Sequence, residues 1–235
     1  MAGRLLIEDK EVVIPGQELA EGMDYLPGGN IIREGEKLIS VKLGLVNVSN
    51  RLLKVIPLVG GYSPKKGDMV IGRISSISSM GWRVNFGWAY DAGLSVRDCF
   101  DRFIEKDEDL TKYYNYGDYI ITLITNIMGN KIIDISMKGT GLRKLGPGRI
   151  LKICPAKVPR VIGKQGSMIQ MIKEYTNCRL LVGQNGFIWL SGNNIEDELL
   201  AIKVIKKIED ESHISGLTDR IKEYLEGEVG IKNGL

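Results

Sequence analysis

The sequence predicts a multidomain β plus α/β protein: a small antiparallel β domain, then a five-stranded barrel, then an α+β domain of order β-α-α-β-β-α followed by a C-terminal helix. Three observations lead there. Short runs rich in Val, Ile and Leu, punctuated by glycine and proline, fill the chain to about residue 138. Beyond residue 146, strand-like runs alternate with apolar residues at helical three- and four-residue spacings. The 235 residues, 43% of them apolar, are enough for two or three small domains with cores of their own.

The first domain, residues 1–62, takes its strands from residues 12–14, 38–41, 43–48 and 52–58, with turns at Pro15-Gly16, Pro27-Gly28-Gly29-Asn30 and Gly60-Gly61. Its apolar residues suit either a core of its own or a face buried against a partner subunit. The second domain, residues 63–140, opens on Ser63-Pro64-Lys65-Lys66-Gly67-Asp68. Its strand-like runs at 69–74, 82–86, 92–96, 119–126 and 132–137 suit a small barrel. Trp82 and Phe86 in the second run either stack on bases, at roughly 1–3 kcal/mol each, or face the core. Core packing is favoured for Phe86, and exposure for Arg83.

The third domain, residues 146–213, contains the most informative stretch, Val161-Ile162-Gly163-Lys164-Gln165-Gly166-Ser167-Met168-Ile169. Gly163 and Gly166 lack Cβ, so the chain can turn sharply and a phosphate can approach the backbone. Met168, Ile169, Met171, Ile172 and Tyr175 follow at helical spacing, placing Gly166 at a helix N-terminus whose free amides and dipole favour an anion. Lys164 adds a mobile cation. Residues 214–235 form a tail in which Leu217, Ile221, Tyr224 and Leu225 make a helix stripe that docks back onto the protein.

The net charge of +3 conceals two opposed regions. No Asp or Glu lies between Lys138 and Lys173, a window holding Arg143, Lys144, Arg149, Lys152, Lys157, Arg160 and Lys164, whereas acids outnumber bases from Glu196 to Glu228. One-sided positive charge of this kind is expected of a protein that binds a polyanion. Cys99, Cys154 and Cys178 are far apart and form no C-x-x-C pair, which points to a reduced, cytoplasmic protein without a zinc ribbon. Residues 1–10 lack the apolar core of a signal peptide, and no apolar run approaches the roughly 20 residues of a membrane span, so no membrane partner is expected.

Enzymatic chemistry has little support. The one histidine, His213, ends an acidic helix and suits a cap or surface role. Asp107, Glu108 and Asp109 are consecutive, so their side chains diverge instead of meeting at one ion, and no Walker loop is present. No catalytic residue, metal or cofactor is expected.

Two of these domains carry family motifs. Gly67-Asp68-x-Val70-x-Gly72-x-Ile74, Met80-Gly81-Trp82-Arg83-Val84, Gly117-Asp118 and Ile133-Asp134-Ile135-Ser136-Met137-Lys138 resemble the RNA-binding OB-fold domain named after ribosomal protein S-one. Met80 and Arg83 stand in its aromatic-bearing strand, and Ser95 near its usual histidine. The third domain resembles the KH domain, with strands at 149–154, 178–182 and 187–190, a short helix near Pro159, the 163–166 loop, its amphipathic helix, and a closing helix at 196–208. That resemblance implies a grip on about four nucleotides of single-stranded RNA. Arg160, Gly163, Lys164, Gln165 and Gly166, with Lys157 and Lys173, would line it. Ile162, Ile169 and Leu180 serve the core before any base. On the barrel, Trp82, Arg83, Phe86 and Lys138 are the candidates.

The domain order, with the Val13-Ile14-Pro15-Gly16 start, resembles the RNA-binding cap subunits of the exosome, the ribosomal RNA-processing protein four family, over nearly the whole chain. Its short length and intact loop suggest an archaeal member. The resemblance implies a non-catalytic subunit, three copies of which, alone or mixed with a zinc-ribbon cap subunit, sit on a hexameric ring of RNase PH-like subunits. There they capture single-stranded RNA and feed its 3′ end into the pore. The N-terminal domain would dock on the ring, the barrel would face the pore, and the KH loop would grip further out. The competing reading is a free-standing S-one/KH regulator of transcription or translation.

Overall fold

The structure, a computed structural model, describes residues 3–100, 108–129, 131–212, 214 and 216–233. It divides into two compact units, residues 1–60 and 61–235.

The first unit contains β1 (Arg4–Leu5), β2 (Val12–Val13), β3 (Glu18–Glu21), β4 (Leu26–Pro27), β5 (Ile31–Glu34), β6 (Lys37–Ser40), β7 (Gly44–Ser49) and β8 (Leu52–Pro57). They form two sheets, in the orders β1-β3-β6-β5 and β2-β7-β8-β4. The pairing is antiparallel apart from the short parallel β4–β8 contact. Alternation along β8 sends Leu53 and Val55 inward to Val13, Leu19, Leu38 and Val46. The opposite face is apolar in part, interrupted by the Asn47–Lys54 pair. Val12, Leu45 and Ile56 form one cross-strand row, and Val12 and Ile56 are exposed, as are Leu26 and Leu52. The first sequence reading, a core of its own, is what the structure shows, and exposed apolar residues stand on the outward face besides. The strands β1, β3, β4 and β5 were not expected from sequence. They are short or carry charges such as Glu18, Glu21, Arg33 and Glu34, which dilute the alternation.

The second unit begins with a barrel of β9 (Met69–Ser78), β10 (Gly81–Asn85), β11 (Ala92–Ser95), β12 (Tyr119–Ile127) and β13 (Ile133–Ser136). Closure comes from two pairings of β13, parallel to β11 and antiparallel to β12. The short β14 (Arg143–Lys144) adds to β12. A single turn of helix, α1 (Val96–Cys99), follows β11, capped by Ser95, whose Oγ accepts from the Asp98 amide. Val70, Ile74, Val84, Ile120, Ile124 and Ile135 fill the interior.

The rest of the unit runs β15 (Arg149–Lys152), α2 (Val158–Ile162), α3 (Ser167–Thr176), β16 (Arg179–Val182), β17 (Phe187–Ser191), α4 (Ile195–Asp210) and α5 (Leu217–Asn233). This is the predicted β-α-α-β-β-α order, with an antiparallel sheet β15-β17-β16. One face of the sheet, through Leu180, Ile188 and Leu190, packs on the helices. Leu217, Ile221 and Leu225 of α5 join that core, as their spacing predicted.

The other sheet face packs on the barrel. Trp189 meets Ile71, Ile121 and Leu145 in a shared apolar cluster, and its indole donates to the Gly146 carbonyl at 3.1 Å. At the centre stands Asn185, 3% exposed, in the turn between β16 and β17. Its Oδ1 accepts from the Ile71 amide at 3.2 Å. Its Nδ2 donates to the carbonyls of Ile71 and Phe86, at 2.7 and 2.8 Å. The adjacent Gln184 amide donates to the Met69 carbonyl at 2.8 Å. The turn thus pairs with β9 almost as another strand would.

Asn185→Ala removes these bonds and leaves the Ile71 amide and carbonyl buried without partners. Thermal or urea denaturation should register a loss of about 3 kcal/mol. Asn185→Asp, which sets a carboxylate oxygen against two carbonyls, should cost at least as much; a loss within about 0.5 kcal/mol for either would contradict the assigned role.

Candidate nucleic-acid interface

The loop between α2 and α3 has a backbone that few sequences can adopt. Gly163 ends α2 at φ 76° and ψ 174°, Gln165 lies at φ 54° and Gly166 at φ 83°. These are positive φ values at which side chains are strained. The two glycines differ in what else they require. A Cβ on Gly163 would sit 2.6 Å from the Met168 amide nitrogen, whereas one on Gly166 would meet nothing nearer than Ile169 Cγ2 at 3.9 Å. Gly163 is thus demanded by packing and Gly166 by conformation alone.

Gly166 is the N-cap of α3, and no side chain caps the helix; its first turn carries no acid. The opening amides of α3 therefore lack the side-chain acceptor that Ser or Asp would supply, and a phosphate oxygen fits that role. Lys164 and Gln165 are exposed on the loop and Arg160 is exposed on α2 just before it. Ile162 and Ile169, half-buried against the core, flank the loop, while Leu180 is closed off at 2% exposure.

The remaining predicted cations sit differently. Lys157 Nζ donates to the Glu209 carbonyl at 2.8 Å, and the Cys154 amide donates to the Glu209 carboxylate at 2.7 Å. Lys157 thereby secures the end of α4. Lys173 lies in the last turn of α3, about 10 Å along the axis from the loop at ~1.5 Å per residue. The acid-free window of the sequence is also partly neutralised in space. Arg149 Nε contacts Glu198 at 2.6 Å, and this pairing, with the Gly192 amide, holds the Glu198 carboxyl below its usual range. Lys144 pairs with Asp118.

On the barrel, one expectation needs correction. Trp82 and Phe86 are 2% and 1% exposed, so no base can stack on them. Trp82 Nε1 donates to the Tyr114 carbonyl at 3.0 Å, and its ring meets Tyr114 and Phe100 edge-on. The physical reason is strand alternation: Trp82, Val84 and Phe86 point inward, while Arg83 and Asn85 point out. Arg83 is exposed between Ser76 on β9 and Gly93 on β11. Lys138 is exposed just beyond β13, its amide donating to Ser136 Oγ.

The exposed aromatics lie elsewhere and were missed. From Phe86, a chain of rings leads through Trp88 to Tyr90, and Tyr90, 57% exposed, borders a shallow cleft with Arg83, Lys131 and Ile132. Tyr116 is 68% exposed. Aromatics inside glycine-bearing loops were the available signal.

The acidic group is accounted for locally where it is described; Asp107 and His213 lie outside the described residues. Asp109 accepts from the amide and hydroxyl of Thr111, which hold its carboxyl below the usual range. Glu108 accepts from the Tyr113 hydroxyl.

Comparison with known proteins places these features. Residues 10–59 match the family model of the exosome RNA binding protein RRP4 N-terminal domain, and residues 148–196 match that of the KH domain. The exosome complex component Rrp4 of Pyrococcus abyssi is 44% identical over 225 residues, spanning 94% of this chain and 84% of the relative. The Rrp4 component of Saccharolobus solfataricus is 38% identical over 234 residues, 98% of this chain and 93% of the relative. A crystal structure of a protein assigned as an exosome complex RNA-binding protein matches with a TM-score of 0.66 at 38% identity, covering 74% of this chain and 99% of that one.

Two variants separate binding from folding. Replacing Lys164 and Gln165 together by Asp should weaken single-stranded RNA binding while leaving the thermal midpoint in place. In a salt titration, each lost phosphate contact should also flatten the log-affinity slope by about 0.7. Trp82→Ala, in contrast, should cost about 3–5 kcal/mol of stability; a Trp82→Ala protein of unchanged stability would return that ring to the surface.

Proposed function

The chain belongs to the Rrp4 family of exosome subunits, and on that premise we propose that it is a non-catalytic RNA-binding cap subunit. It captures single-stranded RNA and directs the 3′ end into the pore of a phosphorolytic 3′-5′ exoribonuclease ring. The observation that carries this reading is the 163–166 loop. It offers the uncapped N-terminus of α3, flanked by exposed Lys164, Gln165 and Arg160, with half-buried Ile162 and Ile169 alongside. These groups offer donors to a phosphodiester, and the one side-chain acceptor among them, the Gln165 amide oxygen, is too weak a base to deprotonate water, so the cleavage chemistry falls to the ring.

Ring docking is assigned to the N-terminal unit. Its outward row of Val12, Leu45 and Ile56, and a second apolar pair at Leu26 and Leu52 beyond the intervening Asn47–Lys54 pair, give apolar surface to a unit that already has its own core. Three copies on a hexameric ring of RNase PH-like subunits, in the cytoplasm, complete the proposal.

Reconstitution tests it. Mixed with the RNase PH-like subunits of its own cell, the chain should co-elute as one large assembly, and phosphate-dependent shortening of a tailed RNA should speed up relative to the ring alone. The chain carrying Lys164→Asp and Gln165→Asp should assemble equally well without that gain. Elution of the wild-type chain apart from the ring, or shortening of RNA by the chain alone, would overturn the proposal.

A further inference from the structure

Where the α+β domain meets the barrel, a cleft of about 330 Å³ opens between them, at the small end of the ~300–1,000 Å³ range of ligand sites. Strand register builds its barrel wall. Arg73 on β9 stands beside Tyr119 on β12 and Asn85 on β10, one cross-strand row on the outer face. The Arg73 guanidinium lies against the 115–118 turn, where a Cβ on Gly117 would be 3.2 Å from Nη2. That turn presents Tyr116, 68% exposed. The opposite wall is Ile150 of β15 and Phe187 of β17. Phe187 is held in place by Gly87, where a Cβ would lie 3.0 Å from Cζ, and Lys152 stands 5.8 Å from its ring centroid.

The charges favour an anion. Asp118, on the turn, is paired with Lys144 and accepts from the Asn115 amide. Asp91 accepts from Ser75 and Asn85 of the barrel wall, which engage both its oxygens. Arg73 and Lys152 have no ion-pair partner among the described residues. The cleft therefore combines aromatic faces with two unneutralised cations, the combination that holds a nucleoside phosphate.

We propose that this seam is a second RNA site, separate from the KH loop, which takes one nucleotide of a single strand. The base lies against Tyr116 and Phe187, and the flanking phosphate is held by Arg73 and Lys152. The inference rests on the RNA-binding reading of the chain and adds to it a site that spans two domains.

The test uses the full chain and a fluorescein-labelled single-stranded RNA of mixed sequence. Tyr116 is exposed, so Tyr116→Ala should leave the thermal midpoint unchanged while weakening binding roughly five- to 150-fold. Arg73→Gln should flatten the salt slope by about 0.7. In a parallel arm, RNA carrying 4-thiouridine should crosslink to the peptide containing Tyr116 or Phe187, and this should persist in the Lys164→Asp, Gln165→Asp chain. If the KH-loop variant loses affinity while Tyr116→Ala and Arg73→Gln keep it, the seam site is wrong and the RNA-binding reading stands. If the wild-type chain binds no RNA, both fall. Binding of free AMP as tight as that of the oligomer would make the cleft a mononucleotide site and overturn the proposal as well.

Discussion

The side-chain amide of Asn185 is the interaction on which the second unit depends. It is almost fully buried, and each of its polar atoms is engaged by main chain of the barrel, at Ile71 and Phe86. Satisfied in this way it contributes a few kcal/mol at most, but its partners cannot turn to water if it is lost, so the cost of breaking it exceeds the gain of making it. The turn around it leaves no latitude. A Cβ on Gly183 would fall 2.3 Å from Asn185 Oδ1 and 2.8 Å from the Ile71 amide nitrogen. Two domains joined by hydrogen bonds of fixed direction, over the apolar contact of Trp189 with Ile71 and Ile121, are held in one mutual orientation by these contacts. Surfaces on either side of the seam can then engage one RNA strand without first paying the entropy of orienting two tethered parts.

What was legible in the sequence follows from how local the causes are. The 163–166 loop could be read because its geometry is written in two glycines and the helix that follows. The barrel strands could be read because they alternate or run apolar over several residues. The orientation of β10 was legible as well: with Arg83 and Asn85 at the alternate positions, Trp82 and Phe86 had to point inward, and only the expectation of a stacking aromatic argued otherwise. Asn185 was different. In Gly183-Gln184-Asn185-Gly186 an asparagine reads as ordinary turn chemistry, and its partner Ile71 is 114 positions away. No local pattern encodes such a pairing. The short strands of the first unit, two to four residues with charged members, fall below what periodicity can resolve.

The charge pattern shows the same limit from another side. A window without acids is a fact about sequence neighbours, whereas potential depends on neighbours in space. Folding brings Glu198 to Arg149, Asp118 to Lys144 and the end of α4 to Lys157. Among the described residues, exposed cations without an ion-pair partner include Arg160 and Lys164 near the loop and Arg73 and Lys152 at the seam, so the positive charge available to a polyanion is less than the window suggests. Exposed pairs contribute little to stability, so the consequence of this sorting is chiefly functional: it decides where a polyanion is held.

How tightly it is held also matters for the proposed task. Main-chain amides at a helix N-terminus and mobile Lys or Arg side chains bind phosphate irrespective of base, and stacking on Tyr or Phe tolerates any base. A strand that must slide toward a distant active site needs contacts of this kind, each weak, screened by salt and reproduced at every nucleotide, because a strong base-specific contact would stall it. The absence of a side-chain cap on α3 then has a definite meaning. At φ 83° position 166 suits glycine and a Ser or Asp there would be strained, so the conformation that opens α3 also keeps a capping side chain away from the amides that the phosphate needs.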